Sequence, residues 1–352
     1  MAEINSIIFE NNMLKLIDQR KLPTIFEYFT CTNYRDVEYA IREMVVRGAP
    51  AIGATAAYGT LLLVDELIKE NLTKVEFNKK IDIGLEFLNN SRPTAVNLMW
   101  AINKMKEVIS TNSTKSYDDI SLAVKKEAIL IHKEDIETNK RMAKHGAKLI
   151  NQGDTILTHC NTGALATAGY GTALGVIREA FYQEKNIFVY ADETRPRLQG
   201  ARLTAWELME EGIPSKLIVD SAAATLIRDK KIDIILVGAD RIALNGDSAN
   251  KIGTFMLSVI AEKYNIPFYI VAPTTTIDFD IVSGGEIVIE ERPSNEITII
   301  GERVVAPAGM EVYNPAFDVT PNDLINGIVT EKGIIYPPFE KNIIKLKNNI
   351  GD

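Results

Sequence analysis

The chain has 352 residues, enough at roughly 100–200 residues per domain for two or three domains. Its 39 basic and 47 acidic residues give a formal charge of −8, which argues against a general nucleic-acid binder, whose footprint is a basic surface. With 46% hydrophobic and 24% charged residues, the composition excludes a disordered chain.

The opening residues 1–10 lack the basic region and long apolar run of a signal peptide. No run reaches about 18 apolar residues, so no membrane span is expected, and the expected setting is the cytoplasm. Val37, Ala40, Ile41, Met44 and Val45 recur at helical spacing. This first helix should stop near Arg47-Gly48-Ala49-Pro50, where glycine and proline punctuate the chain. Pro50 can open the next helix, over about 51–69, because a first turn does not need its missing N–H. That helix begins with Ala51, Gly53, Ala54, Ala56 and Ala57, small residues that permit close backbone or ligand approach. Ser91-Arg92-Pro93-Thr94 is a second break, leading into a helix that runs to about 108. A polar loop over 110–119 and a long helix over about 120–151 follow.

From Asp154 the pattern changes. Short apolar runs at 155–159, 187–190, 216–219, 232–237 and 267–271 alternate with helical stretches at about 165–183, 199–211, 222–229 and 252–264. Short buried strands alternating with helices predict a parallel sheet covered on both faces. After Asp280 the reading is short extended pieces and a short helix near 321–327.

Ligands of open parallel sheets bind beyond the carboxyl ends of the strands. Here those ends read Cys160-Asn161-Thr162-Gly163, Asp192-Glu193-Thr194-Arg195-Pro196, Asp220-Ser221, Gly238-Ala239-Asp240-Arg241 and Ala272-Pro273-Thr274. Loops are polar anyway, so one such end says little; five in register predict a crevice rich in carboxylates and hydroxyls with one thiol. Free cysteines are ordinarily small buried hydrophobes. Cys160, between a strand and a helix start, sits where a thiolate is favoured and can act as base or nucleophile. An aspartate at a loop entrance is often just a cap. Asp240 closes the apolar strand Ile234-Ile235-Leu236-Val237, and desolvation there would favour the protonated acid near neutrality. Asn250 and Lys251 are placed at the opening of the 252–264 helix, where backbone N–H groups and a cation suit a phosphate. Arg47 and Arg92, also ahead of helix starts, are further anion candidates.

Other chemistries lack their residues. Two cysteines and three histidines, with no CxxC or HExxH, cannot build a structural zinc site of about four ligands, and no disulfide framework is expected. Gly169-Tyr170-Gly171-Thr172-Ala173-Leu174-Gly175 is not the dinucleotide fingerprint, no Walker A sequence occurs, and the 240–250 loop has Ile242 where a calcium loop needs an acid. Strand alternation points His159 away from Cys160.

Read together, Arg47–Thr94 (Arg47-Gly48-Ala49-Pro50-Ala51-Ile52-Gly53 and Ser91-Arg92-Pro93-Thr94), Thr158-His159-Cys160-Asn161-Thr162-Gly163, Glu193-Thr194-Arg195-Pro196-Arg197-Leu198-Gln199-Gly200, Gly238-Ala239-Asp240-Arg241-Ile242, Asn245-Gly246-Asp247, Ala249-Asn250-Lys251-Ile252-Gly253-Thr254 and Asn314-Pro315-Ala316-Phe317-Asp318-Val319-Thr320-Pro321 resemble the methylthioribose-1-phosphate isomerase family. The wider superfamily also holds ribose-1,5-bisphosphate isomerases and regulatory subunits of the initiation factor two-B complex. The resemblance implies an α/β fold: a small, mainly helical N-terminal domain (1–120) and a Rossmann-like parallel-sheet C-terminal domain (121–352) led by a long helix. It implies Cys160 and Asp240 as catalytic residues, and Arg47, Gly48, Ala49, Arg92, Gln199, Asn250 and Lys251 as substrate-binding residues. It further implies a small-molecule sugar phosphate as partner, no metal or organic cofactor, no nucleic acid or membrane, a homodimer, and a place in methionine salvage. The retained Cys160 and Asp240 favour a catalyst over a regulatory subunit. Where family members often carry methionine after the Asp-Ser pair, this chain has Ala222, which leaves a 5-deoxyribose 1-phosphate isomerase as an alternative.

Overall fold

The computed structural model describes residues 4–93 and 95–350, the side chains of 349 and 350 excepted. Thr94 of the second motif and the first three residues therefore lie outside the described residues. The chain divides into two units, 1–138 with 163–171, and 139–162 with 172–352.

In the first unit an antiparallel sheet precedes the helices: β1 (Ile7–Glu10), β2 (Met13–Ile17) and β3 (Tyr28–Cys31). The sequence reading took this region as mainly helical. The signal it passed over is the pair Asn11-Asn12, both left-handed at φ 51° and 55°, which makes the tight two-residue turn between β1 and β2. Helices α1 (Tyr34–Arg42), α2 (Ala49–Leu67), α3 (Lys74–Asn89), α4 (Val96–Thr111) and the start of α5 (Tyr117–Gly146) follow. α2 is apolar nearly all round. It is the one helix among the described residues long and apolar enough to cross a membrane, although the sequence reading found no such candidate. Its apolar surface is spent on the core instead: 83% of its most apolar window is buried. α2 opens where glycine and proline predicted it, but α1 stops at Arg42, short of the expected end near Arg47, and Met44 is left-handed at φ 58°. Gly48 sits at φ +95° with Ala166 so close that a β-carbon would lie 2.1 Å from its carbonyl oxygen.

The second unit is built on a seven-stranded sheet. Its strands are β4 (Thr155–Thr158), β5 (Phe188–Asp192), β6 (Ser215–Ile218), β7 (Ile234–Val237), β10 (Phe268–Val271), β15 (Gly327–Thr330) and β16 (Gly333–Ile335). Between them in chain order lie α6 (Ala173–Tyr182), α7 (Ala205–Glu210), α8 (Ala222–Arg228), β8 (Arg241–Ala243), β9 (Ser248–Lys251), α9 (Thr254–Tyr264), β11 (Ile277–Asp278), α10 (Asn295–Thr298), β12 (Ile299–Ile300), β13 (Arg303–Val304) and β14 (Phe317–Thr320), with α11 (Phe339–Ile350) last. The order across the sheet is β16-β15-β10-β7-β4-β5-β6, parallel except for β16. Side-chain alternation sorts the core into two layers. Ile156, Ile234, Leu236, Val271 and Val329 join the layer under α6, while Leu157, Ile235, Val237, Ile270 and Ile328 join that under α8, α9 and α11. The α/β expectation holds, and all five predicted strands are present. The sixth parallel strand, β15, falls after the point where the sequence reading saw only short extended pieces.

Two predicted helices start late. The 165–183 stretch is a loop with one short turn until Ala173, because Thr162 supplies acceptors for the helix start: its carbonyl takes the Thr172 N–H (2.7 Å) and its hydroxyl the Leu174 N–H (3.1 Å). The 199–211 stretch opens as a wide π-type turn over Gly200–Thr204 before α7.

A second sheet, β11-β8-β9-β14, leans on Asp247. Its carboxylate accepts from Asn245 Nδ2 (2.8 Å), Gly284 N (2.9 Å), Asn322 N (2.8 Å) and Asn322 Nδ2 (2.9 Å). Burial acts to raise its pKa, but these hydrogen bonds outweigh burial and hold it below the usual carboxylate value. The charged form is therefore favoured by folding. Its stabilisation is present above the unfolded value near 3.9 and is lost as pH falls through the folded one. Asp247→Ala should cost about 2–3 kcal/mol near neutrality. The stability gap to wild type, measured by urea denaturation, should narrow below about pH 4; a gap that is constant with pH would contradict this reading.

Candidate functional site

The sheet order places β4 beside β7. The chain steps from β4 outward through β5 and β6, and from β7 the opposite way through β10 and β15. This divergence opens a crevice at the carboxyl ends of β4 and β7. Thr158 of β4 pairs with Leu236 of β7, so Cys160 and Asp240 follow neighbouring strand ends at this switch point.

Cys160 stands in a left-handed turn at φ +65°, an unusual conformation for a residue with a β-carbon. The neighbouring strand-end loop compels it. Cys160 N–H donates to Thr194 Oγ1 (2.8 Å), and the Thr204 hydroxyl donates to the Cys160 carbonyl (2.6 Å). Thr194 is itself fixed, its hydroxyl donating to the Asp192 carbonyl (3.1 Å), and both Thr194 N and Arg195 N donate to Asp220 at 2.7 Å. Next in the chain, Asn161 is held through Nδ2 by Glu207 Oε1 (3.0 Å) and Thr204 Oγ1 (3.3 Å). Arg178 balances the buried Glu207 charge at 3.3 Å. The thiol that breaks β4 thus rests on a scaffold of hydroxyls and carboxylates, and it is half-buried.

Asp240 differs from expectation. Its N–H is tied to the Ala249 carbonyl at 2.9 Å, but the residue is exposed. Gly238 and Ala239 separate it from the buried strand, so the strand does not desolvate its side chain. Asn250 and Lys251 also stand differently: they end β9 rather than open α9, which begins at Thr254. Asn250 is buried and donates to Thr254 Oγ1 (2.9 Å); Lys251 Nζ donates to the Ala316 carbonyl (2.8 Å) and lies 4.5 Å from the Phe317 ring centroid. The α9 N-terminus already holds an anion. Asp318 accepts from Gly253 N (2.7 Å) and Phe255 N (3.1 Å), so those N–H groups are not open to a phosphate as the sequence reading expected. Gln199 is buried, with Oε1 lacking a hydrogen-bond partner among the described residues.

Of the remaining candidates, Arg47, Gly48 and Ala49 belong to the first unit, at the α1–α2 break, with Gly48 as the residue before α2 and Ala49 as its first. Arg92, in the same unit, lies half-buried between α3 and α4. Ala222 is the first residue of α8, beyond the end of β6.

Sequence reasoning set His159 aside. Its ring does turn from the thiol: Nδ1 meets Asp192 Oδ2 at 2.8 Å and Nε2 meets the Ile252 carbonyl at 2.9 Å. Burial opposes the charged ring, but the Asp192 carboxylate and the Ile252 carbonyl outweigh it and raise its pKa.

Residues 45–337 match the model of the Initiation factor 2 subunit family. The chain belongs to this family. It is 67% identical over 347 residues to the methylthioribose-1-phosphate isomerase of Thermoanaerobacter sp. (strain X514), covering 99% of this chain and 100% of that one. The crystal structure of 5-methylthioribose 1-phosphate isomerase from Pyrococcus horikoshii OT3 superposes with a TM-score of 0.93 at 44% identity, over 98% of this chain and 96% of that one. A structure described as translation initiation factor eIF-2B, subunit delta, from A. fulgidus superposes with a TM-score of 0.89 at 43% identity, over 98% and 99%. Isomerase and initiation-factor names therefore meet on this one family architecture.

The two thiols should separate chemically. Burial, then the Asp36 charge, pushes the Cys31 thiol up to about 12, and Cys31 is fully buried in the first unit. Brief treatment of the native protein with iodoacetamide should modify Cys160 and spare Cys31, as read by peptide mass spectrometry. Equal labelling of both would mean that the thiol at the switch point is no more accessible than a core residue.

Proposed function

We propose that this chain isomerises 5-methylthioribose 1-phosphate to 5-methylthioribulose 1-phosphate, an aldose–ketose conversion in methionine salvage. It is an isomerase acting on a sugar phosphate. The observation that carries the reading is the full-length 67% identity to methylthioribose-1-phosphate isomerase in a chain that presents a half-buried thiol at its sheet's switch point.

The substrate's phosphate sits on the anomeric oxygen, so its ring does not open as a free hemiacetal does. We assign Asp240 the acid and base work on oxygen. It protonates the ring oxygen as the C1–O4 bond breaks, and later takes the proton of the C2 hydroxyl. Cys160 removes the C2 proton, giving an enediol-type intermediate with phosphate still on the C1 oxygen, and returns a proton to C1. The product is a ketone at C2. Because Asp240 is exposed, bound substrate must supply the desolvation that its strand does not. On the family resemblance, Arg47, Gly48, Ala49, Arg92, Gln199, Asn250 and Lys251 are each assigned to substrate binding; the buried Gln199 oxygen lacks a hydrogen-bond partner among the described residues. We further propose a cytoplasmic homodimer, on the family resemblance.

Purified protein should convert methylthioribose 1-phosphate faster than the 5-deoxyribose and ribose 1-phosphates. Cys160→Ser and Asp240→Asn should each lower kcat by about 10³-fold or more while a competitive sugar phosphate still binds. An inactive wild type would support the regulatory-subunit reading, and near-normal kcat in Cys160→Ser would make the thiol structural. In deuterated water, solvent deuterium should appear at C1 of the product. Its complete absence from early turnover would replace Cys160-mediated proton transfer with a hydride shift.

A further inference from the structure

His159 is fully buried, and the assignments above give it no role. Each ring nitrogen faces an acceptor. Nε2 meets the Ile252 carbonyl, which can only accept, so that nitrogen carries a hydrogen; Nδ1 meets the Asp192 carboxylate. A ring held between two acceptors is satisfied as the imidazolium. Three carboxyls face it, Asp192 from β5, Asp220 beyond β6 and Asp318 from β14; burial raises the pKa of Asp192 and Asp318, and their interaction with the ring opposes that rise.

The second half of the geometry is the Ile252–Gly253 peptide, immediately after Lys251. Its carbonyl bonds to His159, and its N–H bonds to Asp318 Oδ2 at 2.7 Å. One peptide unit is thus gripped by the His159 ring at its oxygen and by the Asp318 carboxyl at its nitrogen. Ile252 N–H donates to the Ala316 carbonyl at 3.1 Å, which braces the same turn. The turn lies against the imidazole: a β-carbon on Gly253, at φ +106°, would stand 3.0 Å from ring Cε1. On the other side, the Asp192 that holds the ring belongs to the strand end whose Thr194 fixes the Cys160 N–H.

We infer that His159 is a positioning residue: an imidazolium that clamps the Ile252–Gly253 peptide, with Asp318 as counter-clamp, and so ties the Cys160 turn to the Asn250–Lys251 segment. This rests on the proposed function, which assigns Cys160 to proton transfer and Asn250–Lys251 to substrate binding. A second prediction follows from which ring nitrogen does which task. Asparagine at 159 reaches the Nδ1 position, and glutamine reaches the Nε2 position.

His159→Asn, which keeps the Asp192 contact and drops the clamp, should raise KM and the inhibition constant of inorganic phosphate together by about tenfold or more, with kcat within about threefold. His159→Gln should restore both constants toward wild type. Parallel loss of kcat in the two variants with KM unchanged would reduce His159 to a core residue and overturn the inference. A readout independent of activity is the ¹⁵N-histidine spectrum of the wild type: both His159 ring nitrogens should carry hydrogen at neutral pH; an unprotonated Nε2 would overturn the clamp, and an unprotonated Nδ1 would overturn its imidazolium form. Failure of the functional reading shows separately, as a wild type without isomerase activity whose His159 signals still report the imidazolium.

Discussion

Where a strand ends, its backbone groups lose the ladder that satisfied them, and in a parallel sheet this happens at the edge where ligands bind. The second unit meets this constraint with side chains. Asp220 accepts two N–H groups of the β5 end loop, Asp247 ties the turns at Asn245, Gly284 and Asn322, and Asp318 takes the first N–H groups at α9. Thr194 and Thr204 do the same for Cys160 from two sides. Most of the polar residues at the strand ends thus hold backbone in place, and the few assigned to chemistry stand on them. The left-handed turn at Cys160 is a consequence: with its N–H and carbonyl both claimed by neighbouring loops, the residue cannot continue β4, and the chain turns out of the sheet there.

This division of labour explains what was legible in the sequence. The strands β4, β7 and β10 were readable because burial on both faces forces unbroken apolar runs, β5 and the exposed edge strand β6 were readable from short apolar stretches between helices, and the residues following all five were readable because the runs stop. The crevice followed from topology alone. The N-terminal sheet was not read: β1 and β2 are short, and their pattern Ile7-Ile8-Phe9-Glu10 and Met13-Leu14-Lys15-Leu16-Ile17 alternates imperfectly, so the Asn11-Asn12 turn was the clearer signal. α6 and α7 were drawn too early. The α6 start is set by Thr162, whose carbonyl and hydroxyl take the Thr172 and Leu174 N–H groups, and the stretch before α7 opens instead as a π-type turn over Gly200–Thr204. The desolvation expected of Asp240 is absent for a local reason, since two small residues carry it clear of the buried strand.

The same architecture superposes on an isomerase and on a protein described as an initiation factor subunit, at 44% and 43% identity. Fold similarity therefore does not choose between them, and the choice falls to the site. The scaffold around Cys160 is consistent with catalysis in one physical respect. A purely structural thiol gains nothing from a strained backbone conformation held by two hydroxyls, whereas a reacting group gains a fixed direction at no reorganisation cost when substrate binds. His159 extends the argument, because burying a charged ring is expensive unless its partners are themselves required. Here the partners are the strand end that fixes Cys160 and the peptide that follows Lys251. A chain that only needed to fold could fill that space with an apolar residue of the same size; one that must keep the Cys160 turn and the Asn250–Lys251 segment in register, as proposed, has a use for a ring whose two nitrogens are held from opposite sides.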